Sequence, residues 1–495
     1  MTDFRTRSPR NLSLLPGGLL GLLAAWSGSC SGTDSGPLAS NGRPVVLISI
    51  DSFRADHSSA YGYRGEFAPE VPTTPFLERL AREGVLFENA DSPCSWTLPS
   101  HMSLLTGMQC PEHGVRNRTF RLGEGTELLA GRFQRAGYAT AGFYSAPFLH
   151  GSWGFAFGFD TYRPGSPYLD GLGAVKAITD RGPGSLRGLH HASHVDRMCS
   201  ERVVDRALAW LGEGDRREKP FFLFLHLWDP HYDYDPPQKY VEMFDPGYDG
   251  PVNGKDYMET DWPKSDLGRL KALYDGEIRY TDDQIARLFR QLEQWGLADK
   301  VIFAVTADHG DEFFEHGQKG HQKTLFEEVV HIPMLIRAPG GVPAGRRITP
   351  TVALYDLAPT LLDLAGVPAW EGRSGRSLTP FWKKAGEVPP HAIVMDLEMP
   401  GPAKFRAWRQ GGLKFIWNVP KGVGALFHLD GDPGELHGRR VESLLGDAVP
   451  PAAREALQEA SRFAGHALPM TESPEMTRLL AELGYAGEEE PPKED

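Results

Sequence analysis

Thr97 carries a hydroxyl just ahead of a segment, His101 to Gly107, that reads as the opening turns of a helix. In the surrounding stretch CSWTLPSHMSLLTGMQCPEHG, Pro99 and small polar residues mark a loop. Ser100 stands where an N-cap belongs, and Gly107 is a suitable stop. A loop that enters a helix N-terminus offers open N–H groups and the positive dipole end to an anion. A hydroxyl at that point is placed as a nucleophile toward the bound anion. Asp51 and the pair Asp308-His309, far apart in the chain, each follow a short apolar run. Their carboxylates and imidazole suit a divalent cation. With Thr97 as a further ligand, such an ion would acidify the hydroxyl and polarise a substrate oxygen.

These residues need a scaffold that ends several strands together. Val45 to Ile50, Phe221 to Leu227 and Val301 to Thr306 are continuous apolar runs, the mark of strands buried on both faces. They run out just before Asp51, His231 and Asp308. Amphipathic helical patterns alternate with them, over Thr74 to Gly84, Glu127 to Ala136, Cys199 to Leu211, Leu267 to Trp295 and Ala353 to Leu364. The pattern predicts an α/β fold with a doubly wound, mostly parallel sheet, whose ligands bind beyond the carboxyl ends of the strands. From about Glu387 the rhythm shifts to short strands divided by Pro, Gly and Asp turns, then helices near Ala452 to Phe463 and Met476 to Leu483. Residues 44–386 are read as the catalytic domain and 387–486 as a small antiparallel α+β subdomain. Residues 487–495 form an acidic tail, and Tyr168 to Gly188 reads as an irregular loop.

The chain resembles the sulfatase family of the alkaline-phosphatase superfamily. The resemblance rests on VVLISIDSFRADHSSAYGY, TPFLERLAREGVLFENA, TLPSHMSLLTG with EHGV, FFLFLHLWDPHYDYDPP, VIFAVTADHGDEFFEHG with GHQKTLFEE, and YDLAPTLLDLAGVP. It implies metal binding at Asp51, Asp308 and His309, and a proton-transfer role for His231 in the DPH-x-x-Tyr turn. His321, with Lys323 second, would face the ester oxygens, Asn117 would hydrogen-bond the substrate, and Ser100 and His101 would also bind it. His226 reads as packing and His113 as structural. Three departures matter. Ser52 stands where sulfatases carry a second Asp, which shifts the expected ion from Ca²⁺ toward Mn²⁺ or Zn²⁺. Thr97 and His101 replace the Cys/Ser and Arg of Cys/Ser-x-Pro-x-Arg. A threonine β-carbon would oxidise to a ketone, so no formylglycine is expected. The Lys-Trp-His segment of many sulfatases is replaced by FYSAPFLHG.

The 495 residues carry 65 acids against 52 bases, a formal charge of -13 that argues against a nucleic-acid partner. At the N-terminus Arg5, Arg7 and Arg10 precede an apolar run, Leu14 to Trp26, and small residues lead to Cys30. That order is an export signal over residues 1–30, followed by a polar tether over 31–43. Cys30 resembles the lipidated cysteine of a bacterial lipoprotein; plain secretion and an uncleaved anchor are the alternatives. The expected location is periplasmic or at the cell surface, with the membrane reached only through a lipid anchor. Cys94 and Cys110 could pair across the Thr97 loop or stay as buried thiols. The expected function is a metal-dependent hydrolase of sulfate or phosphate esters acting through a Thr97 intermediate, leaning to phosphate mono- and diesters of a small molecule, glycan or lipid. A sulfuric ester hydrolase without formylglycine and a non-catalytic anion-binding protein are the competing readings.

Overall fold

Every residue of Val45–Ile50 is buried, as its unbroken apolar sequence demands. In the computed structural model this strand lies near the centre of an eight-stranded sheet. The order is Arg346–Ile348, Val85–Phe87, Met334–Arg337, Ile302–Ala307, Val45–Ile50, Phe221–Leu227, Ala139–Tyr144 and Thr161–Pro164. Five of its seven pairings are parallel; the two made by Met334–Arg337 are antiparallel. The expected doubly wound, mostly parallel sheet is therefore present. The structure describes residues 38–165, 199–255, 266–383, 392–399, 404–463, 465–474, 476–477 and 480. The signal, Cys30, most of the tether, the Tyr168 to Gly188 loop, the acidic tail and most of the Met476 to Leu483 segment lie outside the described residues. No helix among the described residues is long and apolar enough to cross a membrane.

Register does the positioning. Ser49 lies between His226 and Thr306, and Ile50 between Leu227 and Ala307. Alternate residues of a strand share a face, so Ser49 and Asp51, Thr306 and Asp308, and His226 in register beside Ser49 all address the same side of the sheet. The helix Thr97–Thr106, buried along its whole length, supplies the residues opposite them. Its Gly107 cap is left-handed at φ 68°, as a helix stop requires.

That helix starts earlier than the sequence pattern indicates. Thr97 is its first residue, and Ser100 lies inside it rather than at the N-cap. Ser100 Oγ instead donates to the Cys94 carbonyl at 2.9 Å and meets Ser92 Oγ at 3.0 Å, tying the helix to the preceding loop. The misplacement comes from Pro99. Proline is tolerated in a first helical turn, whose N–H groups have no intrahelical partner.

The C-terminal region is an antiparallel five-stranded sheet in the order Ile393–Glu398, Lys404–Gln410, Leu413–Asn418, Val423–His428, Arg439–Val441. The helix Pro451–Ala460 covers Trp408 and Phe415 on one of its faces. The sheet joins the larger body through buried ion pairs. Lys414 Nζ meets Glu327 at 2.8 Å and Glu435 at 3.1 Å; Arg409 Nη1 meets Asp91 at 2.5 Å and Glu327 at 2.9 Å. The Asp396 N–H also donates to the Pro93 carbonyl, on the loop that leads to Thr97.

Candidate active site

Asp51, Asp308 and His309 converge beyond the strand ends, with Thr97 against them. His309 Nε2 is 3.6 Å from Asp51 Oδ1, 3.4 Å from Asp308 Oδ2 and 3.4 Å from Thr97 Oγ1. All four residues are buried. His309 Nδ1–H donates to the Gly310 carbonyl at 3.0 Å, so its Nε2 carries the lone pair that faces the carboxylates. Asp308 Oδ1 accepts the backbone N–H groups of Ser52 (3.1 Å) and His309 (2.8 Å), which aims Oδ2 inward. Asp308 Oδ2 and Asp51 Oδ2 are buried oxygens with no hydrogen-bond partner.

Ser52, where the sequence departs from the family pattern, is a clamp. Its φ of 53° is left-handed, a conformation costly for a residue with a Cβ. Besides holding Asp308, its hydroxyl donates to Asp51 Oδ1 at 3.1 Å, and its carbonyl accepts from Tyr274 Oη at 2.6 Å. Tyr274 also accepts the Arg54 N–H at 3.0 Å, so the long helix Leu267–Gln294 fixes the turn after the first strand.

Electrostatics set this pocket apart. Burial pushes the Asp51 carboxyl well above its ordinary range. Burial does the same to Asp308, and the Asp51 charge adds to it. Burial holds the His309 imidazole well below its usual range, so it is neutral. Neither carboxylate forms an ion pair with a Lys or Arg among the described residues. Two buried carboxylates and a neutral imidazole, with inward-facing oxygens left unpartnered, fit a divalent cation.

A second wall is made of imidazoles. His309 and His321 have ring centroids 4.3 Å apart, and His321 and His231 5.0 Å. His321 Nδ1–H donates to Asp311 Oδ1 at 2.7 Å, while Asp311 Oδ2 accepts from Tyr234 Oη at 2.7 Å. His321 Nε2 is buried without a partner. His231 Nδ1 donates to the Tyr232 carbonyl at 2.5 Å. Burial brings both rings down to about 3, which leaves them neutral and able to accept a proton at Nε2. Lys323 donates its ammonium to the Lys319 carbonyl at 3.1 Å, and its charge is felt at His321.

Three expected substrate contacts change meaning. His101 is fully buried: Nδ1–H donates to the Thr97 carbonyl and Nε2 accepts from Ser49 Oγ, both at 2.9 Å. With both nitrogens engaged it pins Thr97 to the central strand and offers a substrate nothing. Ser100 is likewise closed within its own loop. Asn117 Oδ1 accepts from the Thr119 N–H (3.0 Å) and hydroxyl (2.6 Å), a turn-forming role that closes its acceptor end. Cys94, Cys110 and Cys199 are buried free thiols. Burial pushes Cys94 up. Burial would also raise Cys110, but hydrogen bonds with Cys94, His113 and Ser103 bring it down to about 5.

The residues missed in the sequence are Asp311, Ser52, Tyr274 and His226. Asp311 was within reach, since it follows Asp308-His309 in DHGD. His226 is a lone polar residue in FFLFLHL, which is the signal it gave.

The Sulfatase family profile matches residues 43–367. An arylsulfatase of Clostridium perfringens is 27% identical over 454 residues, covering 79% of this chain and 89% of its own length. An N-acetylglucosamine-6-O-sulfatase of Bacteroides thetaiotaomicron is 24% identical, over 70% of this chain and 72% of its own. Among solved structures, the phosphonate monoester hydrolase of Agrobacterium radiobacter superposes with a TM-score of 0.68. It is 22% identical and covers 87% of this chain and 100% of its own. That likeness is one of fold. The chain is an ester hydrolase of the sulfatase family.

Proposed function

We propose that the protein cleaves phosphate mono- or diesters, through a covalent intermediate on Thr97, with one divalent cation held by Asp51, Asp308, His309 and Thr97. The observation that carries this reading is Thr97 itself, first residue of a buried helix, its hydroxyl 3.4 Å from His309 Nε2. A hydrated aldehyde can expel sulfate by collapsing to the aldehyde; a threonyl ester must be opened by water, which suits phosphoryl transfer. The imidazole in the donor set favours Zn²⁺ or Mn²⁺ over Ca²⁺. When bound, the cation acidifies the Thr97 hydroxyl and neutralises charge on the transferred group.

The chain's own residues do the rest. Thr97 Oγ1 forms the bond to phosphorus as the substrate's ester oxygen leaves. The proton that Thr97 loses is taken up at Nε2 of His231 and passed to that oxygen, which departs as an alcohol. Water then opens the threonyl ester, yielding a proton to Nε2 of His321, whose Nδ1–H is held by Asp311, and that proton returns to Thr97 Oγ1 as its bond to phosphorus breaks. The solved phosphonate monoester hydrolases of similar fold support the phosphorus reading. The curated relatives named as sulfatases support a second one, sulfuric ester hydrolysis without formylglycine. Aryl phosphate monoesters, diesters, phosphonates and sulfates assayed with Zn²⁺, Mn²⁺ and Ca²⁺, with mass spectrometry of the trapped Thr97 peptide, separate them. A phosphate-sized adduct is expected. A sulfate adduct selects the second reading, and normal turnover by Thr97→Ala removes both. A lipid anchor at Cys30 is proposed with it, tested by whether Cys30→Ser moves the protein out of the membrane fraction.

A further inference from the structure

His226 is fully buried, one residue short of the end of the strand Phe221–Leu227, in a run otherwise composed of Phe and Leu. Its Nε2 lies 3.2 Å from Asp51 Oδ2, yet forms no hydrogen bond with it or with any other described residue. Asp51 Oδ2 and Asp308 Oδ2 are unpartnered in the same way, and His226 Nε2 falls with Asp308 in one group of ligand-type atoms. Three buried polar atoms aimed at one another without satisfaction are costly unless something lies between them.

His101 is the third residue near this point, 3.5 Å from Asp308 Oδ2, but both its nitrogens are already engaged. His226 differs. Its Nδ1 lies 3.3 Å from Ser145 Oγ, whose own hydroxyl donates to the His226 carbonyl at 2.9 Å. The Ser145 N–H also approaches Nδ1, at 3.4 Å; ligation at Nε2 takes the tautomer in which Nδ1–H is given to Ser145 Oγ, as in a metal-bound imidazole whose other nitrogen is held by an acceptor. The spacings around the pocket, 3.2, 3.4 and 3.6 Å, are poor hydrogen bonds. They are close to the edge of a ligand shell with bonds of about 2.0–2.2 Å.

We infer that His226 is a ligand of the cation, standing in for the second aspartate that Ser52 replaces, so that the ion is held by two carboxylates, two imidazoles and Thr97. The inference rests on the single-cation reading above. It gives Ser52 its reason: with a neutral ligand supplied from the neighbouring strand, position 52 is released to clamp Asp51 and Asp308. Two carboxylates also balance a dication without the surplus charge a third would bring toward an anionic substrate.

The test uses the full-length wild-type protein loaded with Cu²⁺ as a probe, and spin-echo modulation to count coordinated imidazoles. Two are expected, from His226 and His309; one overturns the inference. Isothermal titration with Zn²⁺ accompanies it. His226→Gln should weaken Zn²⁺ binding about a hundredfold while thermal unfolding of the chelated protein shows an intact fold. Wild-type Zn²⁺ affinity in His226→Gln, with affinity lost in Asp308→Asn, overturns the His226 assignment and leaves the metal centre standing. A wild-type protein that takes up neither ion overturns both readings.

Discussion

Two buried charge clusters in this protein are built on opposite principles. Between the catalytic body and the C-terminal sheet, Asp91, Glu327 and Glu435 face Arg409 and Lys414, and nearly every charge has a partner within 3.3 Å. At the strand ends, Asp51 and Asp308 face imidazoles, hydroxyls and backbone N–H groups, with no Lys or Arg paired to them among the described residues. Burial still raises Asp91 to about 6 and Glu435 to about 7, but the outcome for Glu327 is opposite. Burial raises Glu327 as it does Asp51, but Lys414 and Arg409 outweigh it and hold Glu327 down at about 2. Lys414, fully enclosed, is raised despite its burial because Glu327 and Glu435 surround it. One cluster is complete within the chain. The other is short of positive charge, and that shortage marks it as a binding site.

The comparison can be broken from the unpaired side first. Thr97→Ala removes the oxygen that faces the cation pocket and leaves the helix, carboxylates and imidazoles in place. Turnover of the best ester substrate should fall on the order of a thousandfold or more, while Thr97→Ser retains most of it. Steady-state kinetics on both variants decide it.

The paired side should fail differently. Lys414→Met leaves Glu327 and Glu435 buried without their ammonium, at a cost of about 3–5 kcal/mol in unfolding free energy. Urea titration measures the loss, and activity per folded molecule should hold near wild type. If stability stays within about 0.5 kcal/mol, the two clusters are not as different as their geometry implies.

Asp308→Asn tests the contrast directly. In chelated protein it relieves repulsion between two buried carboxylates, and the amide can donate to Asp51. The variant should lose metal uptake yet be more stable than chelated wild type by about 1–2 kcal/mol. A less stable variant would mean the carboxylates are already neutralised within the chain.

The smallest effect concerns pH. His316 stacks on Phe326 with centroids 3.6 Å apart and meets Glu328 at 2.7 Å. Burial would lower it, but the Glu328 carboxylate outweighs burial and raises it to about 9. A raised histidine contributes stability that is fully present below its unfolded value of about 6.5 and is lost as pH rises through 9. After allowance for solvent screening the contribution is about 1 kcal/mol. His316→Gln should flatten the fall in melting temperature between pH 6.5 and 9.

The parts of the site legible in the sequence were those that end strands. Asp51 and Asp308-His309 follow apolar runs too regular to be loops, and the sheet register does bring them together. His231 was marked by the apolar strand that ends just before it, whereas His321 was legible only through family resemblance, because its loop carries no periodicity. His226 was hidden by its own setting. A histidine among Phe and Leu has the pattern of a packed core residue, and only the orphaned Nε2 gives it away. Ser100 and His101 were misread for a related reason. Their polarity suggests an open loop, whereas both spend it on backbone carbonyls and neighbouring hydroxyls inside the fold. Sequence records which atoms are polar, not which are already spoken for.

The parallel register of the central strands carries a kinetic consequence. The proposed ligands include residues 51, 226 and 308, and these meet only when strands beginning at Val45, Phe221 and Ile302 have zipped side by side. Contacts of such separation form late, after the loop-closure entropy has been overcome. The pocket is therefore absent from early, locally structured states of the chain, and an ion cannot nucleate the fold. Zn²⁺ added during refolding should leave the folding rate unchanged and slow only unfolding, so that the cation acts as a latch on the finished sheet.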